Sequence, residues 1–451
     1  MKAYDIVIIG GGPAGLTTAL SARNTYPDKS ILLIRKEKIA LIPCGIPYIF
    51  HTLEKIEDDI LSDVPLQKNN VDMLIDEVES VNGKDLNLKN SDKIRFEKLV
   101  LATGSYPFKP PISGIEKDGV AFIKKDIEYL RNLNKKIEKA KNVSIVGGGY
   151  IGVEIAEELT KAGKNVVLVE KLPSVLPLAM DKEFCDMVQE VIEENSVKVI
   201  LNKAVKEIKG NDKVESILIE DGTSYPSDVV IVAVGYRPNL ALAKKLGLKI
   251  EEKYGIVVDD YMRTSDKDVY AVGDCAAQRS CFSGDYSEIM LASSAMAQGR
   301  LAGSNLFKIK VMKETPGILG TFATKIGKVS FGVSGLTEAQ AKSLGIEYIV
   351  GINETFDRHP GKLPDASNIY MKLIYSKLCH TLLGAQVRGG DSVGELINMF
   401  SVMIQNRMTE MEIDTMQIGT HPMLTPSPIA YPVINATVDA ILKEYRMKYN
   451  S

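Results

Sequence analysis

The chain has 451 residues, 45% of them apolar and 25% charged, with a net charge of −3. That is an ordinary soluble globular composition, long enough for about two to four domains. There is no basic stripe for nucleic acid, no apolar stretch near the ~18 residues of a membrane span, and no N-terminal run long enough for a signal peptide, so a cytoplasmic protein acting on a small molecule, with neither nucleic acid nor membrane as partner, is expected.

In chain order, residues 4–23 read YDIVIIGGGPAGLTTALSAR. An apolar strand runs into Gly10-x-Gly12-x-x-Gly15 and opens a helix, which is the context a dinucleotide loop needs. The first glycine permits the tight turn, and the second lets the backbone approach a pyrophosphate. The third lets helix and strand pack closely, while the helix N-terminus favours negative charge. The following strand, SILLIRKEK (30–38), carries Arg35 where an acid would hold a ribose hydroxyl, with Glu37 two residues on. Either Glu37 takes the ribose or the adenosine end is held differently.

Next comes ALIPCGIPYIF (40–50), with Cys44 between two prolines. By type, a cysteine in an apolar stretch is more often buried than reactive. Pro47 suits the first turn of a helix starting near Gly45, which would put Cys44 at a helix N-terminus, where a thiolate is favoured. The other cysteines are Cys185, Cys275, Cys281 and Cys379. An odd, sparse set without C-x-x-C argues against a disulfide framework and against a structural zinc site, and no metal is expected. Cys275 reads as packing.

LVLATGSYP (99–107) is a strand ending in Thr103-Gly104, and a second glycine loop follows at 143–163, VSIVGGGYIGVEIAEELTKAG, with Gly147-x-Gly149-x-x-Gly152. Its next strand, NVVLVEKLP (165–173), ends in Glu170. An acid there accepts from a 2′-hydroxyl and repels a 2′-phosphate, favouring NADH over NADPH, although Lys171 beside it tempers the preference. VVIVAVGYRPN (229–239) ends its strand before Gly235, and DVYAVGDCAA (268–277) ends in Gly273-Asp274, where the acid can reach a ribityl hydroxyl. These strand ends support a flavin in the first unit. Further on, 368–390 reads as two strands around a turn, and 390–413 as one amphipathic helix.

GGGPAG (10–15), ATGS (102–105), GGGYIGVE (147–154), AVGYRPN (233–239) and AVGDCA (271–276) stand in the order of the FAD-dependent pyridine nucleotide-disulfide oxidoreductases, which the chain resembles over nearly its full length. The resemblance implies an α/β fold with two Rossmann-like dinucleotide-binding domains and a C-terminal α+β dimerisation domain. FAD would be held by 1–112 and 243–318, NAD(P)H by 113–242, and a homodimer would form through 319–451. It implies that Gly10, Gly12, Gly15 and Asp274 contact FAD, that Gly147, Gly149, Gly152 and Glu170 contact NADH, and that Glu154 lies near the nicotinamide.

The dithiol members carry C-x4-C, but five residues after Cys44 stands Ile49. CGIPYIF instead resembles the single-cysteine branch of NADH oxidases and peroxidases, CoA-disulfide reductases, and persulfide or polysulfide reductases. Cys44 is then the expected carrier between flavin and acceptor. His421-Pro422 is similar to the His-Pro that supplies acid–base chemistry in the dithiol branch, but the glutamate that would orient it is Pro426 here. A capping or solvent-facing histidine is the competing reading. Ala40-Leu41-Ile42-Pro43 and Lys362-Leu363 depart from the CoA-disulfide pattern. Three acceptors stay open: a small sulfur compound (low-molecular-weight disulfide, CoA persulfide or polysulfide), O2, or a rubredoxin-type carrier.

Overall fold

A computed structural model describes residues 1–449, so the last two residues of the expected C-terminal domain lie outside the described residues. The chain divides into two compact units. One is Met1–Pro111, Asp118–Ala140 and Ile231–Ile318; the other is Ile112–Lys117, Lys141–Val230 and Leu319–Ser451. Compactness thus groups 118–140 and 231–242 with the first unit, and joins the second glycine loop to the C-terminal part.

In the first unit the strand Lys2–Ile9 lies parallel between Ile31–Arg35 and Ile94–Leu101. Asp72–Ile75 extends the sheet on one side, and Val269–Ala271 pairs with Ile94–Leu101 on the other. Residues 6–9, 31–35 and 99–101 are buried on both faces, so these stretches read as near-continuous Val, Ile and Leu. The covering helices Pro13–Thr25 and Ala292–Asn305 meet through small residues. A Cβ on Gly299 would come within 2.8 Å of the Ala14 carbonyl oxygen, and one on Gly303 within 2.5 Å of that of Thr18. Close backbone approach, rather than a wide apolar stripe, joins this pair.

In the second unit Val197–Ile200, Asn165–Val169 and Asn142–Val146 form a parallel sheet in that order. The C-terminal part is a five-stranded antiparallel sheet in the order Thr321–Ile326, Val329–Gly335, Leu382–Gly389, Asn368–Ser376, Tyr348–Phe356. The two expected strands of 368–390 are its third and fourth members. The single helix expected over 390–413 is instead two, Val393–Gln405 and Glu410–Asp414. Arg407 takes φ 52°, which no helix continues, and Thr409 starts the next helix with a full capping box to Glu412.

The two sheets of this unit are tied by a buried charge. Lys372 lies in the core with its ammonium on Asp181 (2.9 Å), Glu183 and Glu338, while the Gln386 amide donates to Asp181. Burial works to discharge Lys372; the three carboxylates more than offset it and raise its pKa. No described helix is long and apolar enough to cross a membrane.

Candidate functional site

The two glycine loops have nearly the same backbone. Gly10 (φ 118°) and Gly147 (φ 107°) adopt a conformation that L side chains rarely take. Each donates its N–H to the end of the next strand, Gly10 to Ile34 O (2.8 Å) and Gly147 to Val169 O (2.9 Å). A Cβ on Gly15 would run into the Gly10 carbonyl, and one on Gly152 into that of Gly147. Gly12 and Gly149 face open space, and each N-caps its helix without a side-chain cap. The first helix N–H groups are therefore aimed at room with no competing side chain, which is the fit a pyrophosphate needs.

The residue after the second strand separates the loops. Glu170 is buried and turns back on its own loop, accepting from Gly148 N–H (2.6 Å) and Leu172 N–H (2.9 Å). Arg35, at the matching position, is also buried. Its stem packs against Gly11, and its guanidinium forks onto Asp63 (2.6 Å to each oxygen) and reaches the carbonyls of Glu37 and Lys38 (2.9 Å each). Arg35 is thus a staple for residues 37–38. The half-buried Glu37 carboxylate stands 3.8 Å from Lys36. The staple's far end, Asp63, lies 28 residues on and carries no local pattern that sequence reading could use.

The remaining glycines lie at the strand ends of the first unit. Thr103 Oγ1 donates to Asn239 O (3.0 Å), and Gly104 O accepts from Asn239 N–H (2.9 Å). Phe108 N–H reaches Gly235 O (2.8 Å). Gly273 presses against Ala14, where a Cβ would have only 2.9 Å, and its N–H goes to Gln298 Oε1 (2.7 Å). Asp274 accepts from Ser105 Oγ (2.7 Å) and pairs with Lys125 (3.2 Å). Cys275 is fully buried, with its thiol directed at the carbonyls of Leu101 and Val272, and no disulfide joins any of the five cysteines.

Cys44 is exposed, unlike most cysteines, whereas Ile49 five residues on is buried. The helix after Cys44 is a five-residue 3₁₀ turn, Ile46–Phe50, with Pro47 at its start. So short a turn has little dipole to offer a thiolate, and the expected stabilisation by a helix N-terminus is not supplied.

In the second unit Glu154 lies one turn into the helix Tyr150–Lys161. Burial pushes its carboxyl up to about 7, against a hydrogen bond from Thr324 Oγ1 (2.9 Å) and with further repulsion from Glu157 and Glu158. Thr324 is 170 residues away in sequence, beyond any local pattern. Tyr150 stacks on Phe322, ring centroids 5.1 Å apart. His421 is exposed; its Nδ1 accepts from Met423 N–H (3.3 Å), which leaves the ring proton of the neutral imidazole on Nε2. Its loop is pegged by His359, whose Nδ1 lies 2.9 Å from Thr425 O and whose N–H donates to Pro422 O (3.1 Å).

Residues 4–299 match the family model described as pyridine nucleotide-disulphide oxidoreductase, and 321–429 match that family's dimerisation domain. An NADH oxidase of Methanocaldococcus jannaschii is 36% identical, over 97% of this chain and 98% of that protein. An NAD(P)H coenzyme A polysulfide/persulfide reductase of Pyrococcus horikoshii is 33% identical, over 86% of this chain and 87% of that one. A solved NAD-dependent persulfide reductase from A. fulgidus superposes with a TM-score of 0.90 at 32% identity, covering 98% of this chain and 84% of its own. With its paired glycine loops, its mixed α/β architecture and these matches, the chain belongs to the pyridine nucleotide-disulphide oxidoreductase family, whose enzymes work with FAD and a pyridine nucleotide.

Proposed function

We propose that this enzyme passes electrons from NADH through FAD and the single thiol of Cys44 to a small sulfur acceptor: a low-molecular-weight disulfide, CoA persulfide or polysulfide. The observation that carries the reading is an exposed Cys44 with buried Ile49 where a resolving thiol would stand. The names of the Pyrococcus and A. fulgidus relatives support the acceptor class.

Residues 1–112 and 243–318 hold FAD, through Gly10, Gly12, Gly15, Thr103, Gly104, Gly273 and Asp274, with residues 37–38 fixed by Arg35 at the adenosine end. Residues 113–242 hold NADH, through Gly147, Gly149, Gly152, Glu170 and Gly235, with Glu154 toward the nicotinamide. Residues 319–451 make the homodimer. Bound FAD supplies two-electron transfer from the nicotinamide to sulfur. For a disulfide RSSR, the Cys44 thiolate attacks one sulfur, forms a mixed disulfide and releases RS⁻. Two electrons and protons then release the second RSH and return Cys44; the sum is NADH + H⁺ + RSSR → NAD⁺ + 2 RSH. In its imidazolium form His421 would give a proton to the leaving sulfur and return as the neutral imidazole.

The name of the M. jannaschii relative favours a second reading, an NADH oxidase in which Cys44 cycles through a sulfenic acid. An anaerobic acceptor panel of CoA disulfide, CoA persulfide, polysulfide and a rubredoxin-type carrier, run beside aerobic oxygen uptake, tests both. The sulfur reading expects turnover on a sulfur acceptor that Cys44→Ser abolishes. If Cys44→Ser keeps that turnover, the reading fails. NADH consumption matched to oxygen uptake, without a sulfur acceptor, would establish the oxidase instead.

A further inference from the structure

Against Gly45, the residue next to Cys44, lies a carboxylate that none of this chemistry uses. Asp59 ends the 3₁₀ turn Ile56–Asp59 and is only 2% exposed. Its segment is strapped to the cysteine segment: Ile42 N–H donates to Asp59 O (2.9 Å), Leu61 N–H to Ala40 O (2.9 Å), and Leu41 bridges Ile60. The side chain reaches under the residue next to Cys44. A Cβ on Gly45 would fall onto Asp59 Oδ1 and within 2.9 Å of Cγ. Gly45 has φ −84° and ψ −17°, which any residue adopts, so it is glycine for space, and the space holds this carboxyl. The other oxygen, Oδ2, is buried without a hydrogen-bond partner.

We propose that Asp59 is a positioning residue for Cys44: its carboxyl, shut beneath the Gly45 turn, sets the charge there and with it the pH at which Cys44 becomes a thiolate. Burial alone pushes the Asp59 carboxyl up to about 6. Among the charged groups on the neighbouring turns, Glu57 pairs with Arg131, Lys55 with Asp58 (3.8 Å) and Asp63 with Arg35, and Glu54 is exposed. On the cysteine side the titratable groups are Cys44, Tyr48 and the exposed His51. Protonated, Asp59 is neutral and leaves the thiolate unopposed. Ionised, it stands as a like charge against the residue next to Cys44 and disfavours the thiolate.

The functional consequence rests on Cys44 being the electron carrier, but the test reads the thiol itself. The holoenzyme is alkylated with iodoacetamide between pH 4.5 and 8.5, and modification of the Cys44 peptide is followed by mass spectrometry. In the wild type the logarithm of the rate should rise with unit slope, flatten near pH 6 as Asp59 ionises, and then resume, as coupled titrations do. Asp59→Asn should remove the flattening and speed alkylation at pH 7 by about three- to tenfold. A wild-type profile of unit slope throughout overturns the proposal without need of a variant. So does an Asp59→Asn holoenzyme with native flavin content whose profile overlays the wild type. Sulfur turnover that survives Cys44→Ser would remove the carrier reading and leave the Asp59 coupling standing.

Discussion

The two glycine loops are a duplicated backbone with different chemistry at one corner. Gly10 and Gly147 turn alike, Gly15 and Gly152 sit against the same carbonyls, and both loops donate to the end of the following strand. At the next residue one loop has Arg35 and the other Glu170. Arg35 spends its guanidinium on Asp63 and two carbonyls and so builds a wall for its site. Glu170 instead accepts two backbone N–H groups of its own loop, from Gly148 and Leu172. The loop geometry is what cradles a pyrophosphate; the corner residue is free to select or to build.

The strongest way to break the comparison is to place a methyl at the shared third glycine. Gly15→Ala forces a Cβ into the Gly10 carbonyl and should strip FAD from the purified protein, read as the flavin-to-protein absorbance ratio. Gly152→Ala makes the same clash in the other loop and should keep FAD while raising KM for NADH by about tenfold or more. If Gly152→Ala loses flavin instead, the assignment of the loops is reversed.

The corner residues should diverge just as clearly. Arg35→Met leaves Asp63 without its partner and should cost about 3 kcal/mol in denaturant unfolding, with weaker flavin retention. Glu170→Arg takes the acceptor from two backbone N–H groups and should cost about 1–3 kcal/mol of stability, while moving the kcat/KM ratio toward NADPH by about 10- to 100-fold. A wild type that already prefers NADPH would contradict the role proposed for Glu170.

The last effect is one of pH. The Glu154 carboxyl is raised from 4.5 to about 7 by burial, so the folded chain holds a proton that the unfolded chain releases. That proton favours folding fully below pH 4.5, and the advantage is lost as pH rises through about 7. Glu154→Gln should therefore match the wild type near pH 4.5 and exceed it at pH 8 by roughly 3 kcal/mol, measured by thermal unfolding at both values. Equal Tm differences at the two pH values would contradict a raised carboxyl.

Much of this was legible because it is local. Strand, glycine loop and helix follow one another within about 20 residues, and each glycine answers to its own turn. The helix expected over 390–413 failed at Arg407, where a backbone angle, not an apolar pattern, ends the first segment. At Cys44 the apolar neighbours alone argue for burial, yet the turn buries Ile46, Pro47 and Ile49 and leaves Cys44 exposed. The groups that sequence reading missed act over distance. Asp63 answers Arg35 across 28 residues, and Thr324 answers Glu154 across 170. Asp59 was invisible because its counterpart is an absent side chain, that of Gly45.

The pegging of the His421 loop by His359 has a consequence for assembly. Met423, Leu424 and Ile429 are exposed on or just after a segment whose backbone is already held by its own chain, through Thr425 and Pro422. If a second copy seats there, the ordering entropy of the loop has been spent during folding. Association then owes little for loop closure, and weakening the peg at His359 should loosen the dimer chiefly through its dissociation rate.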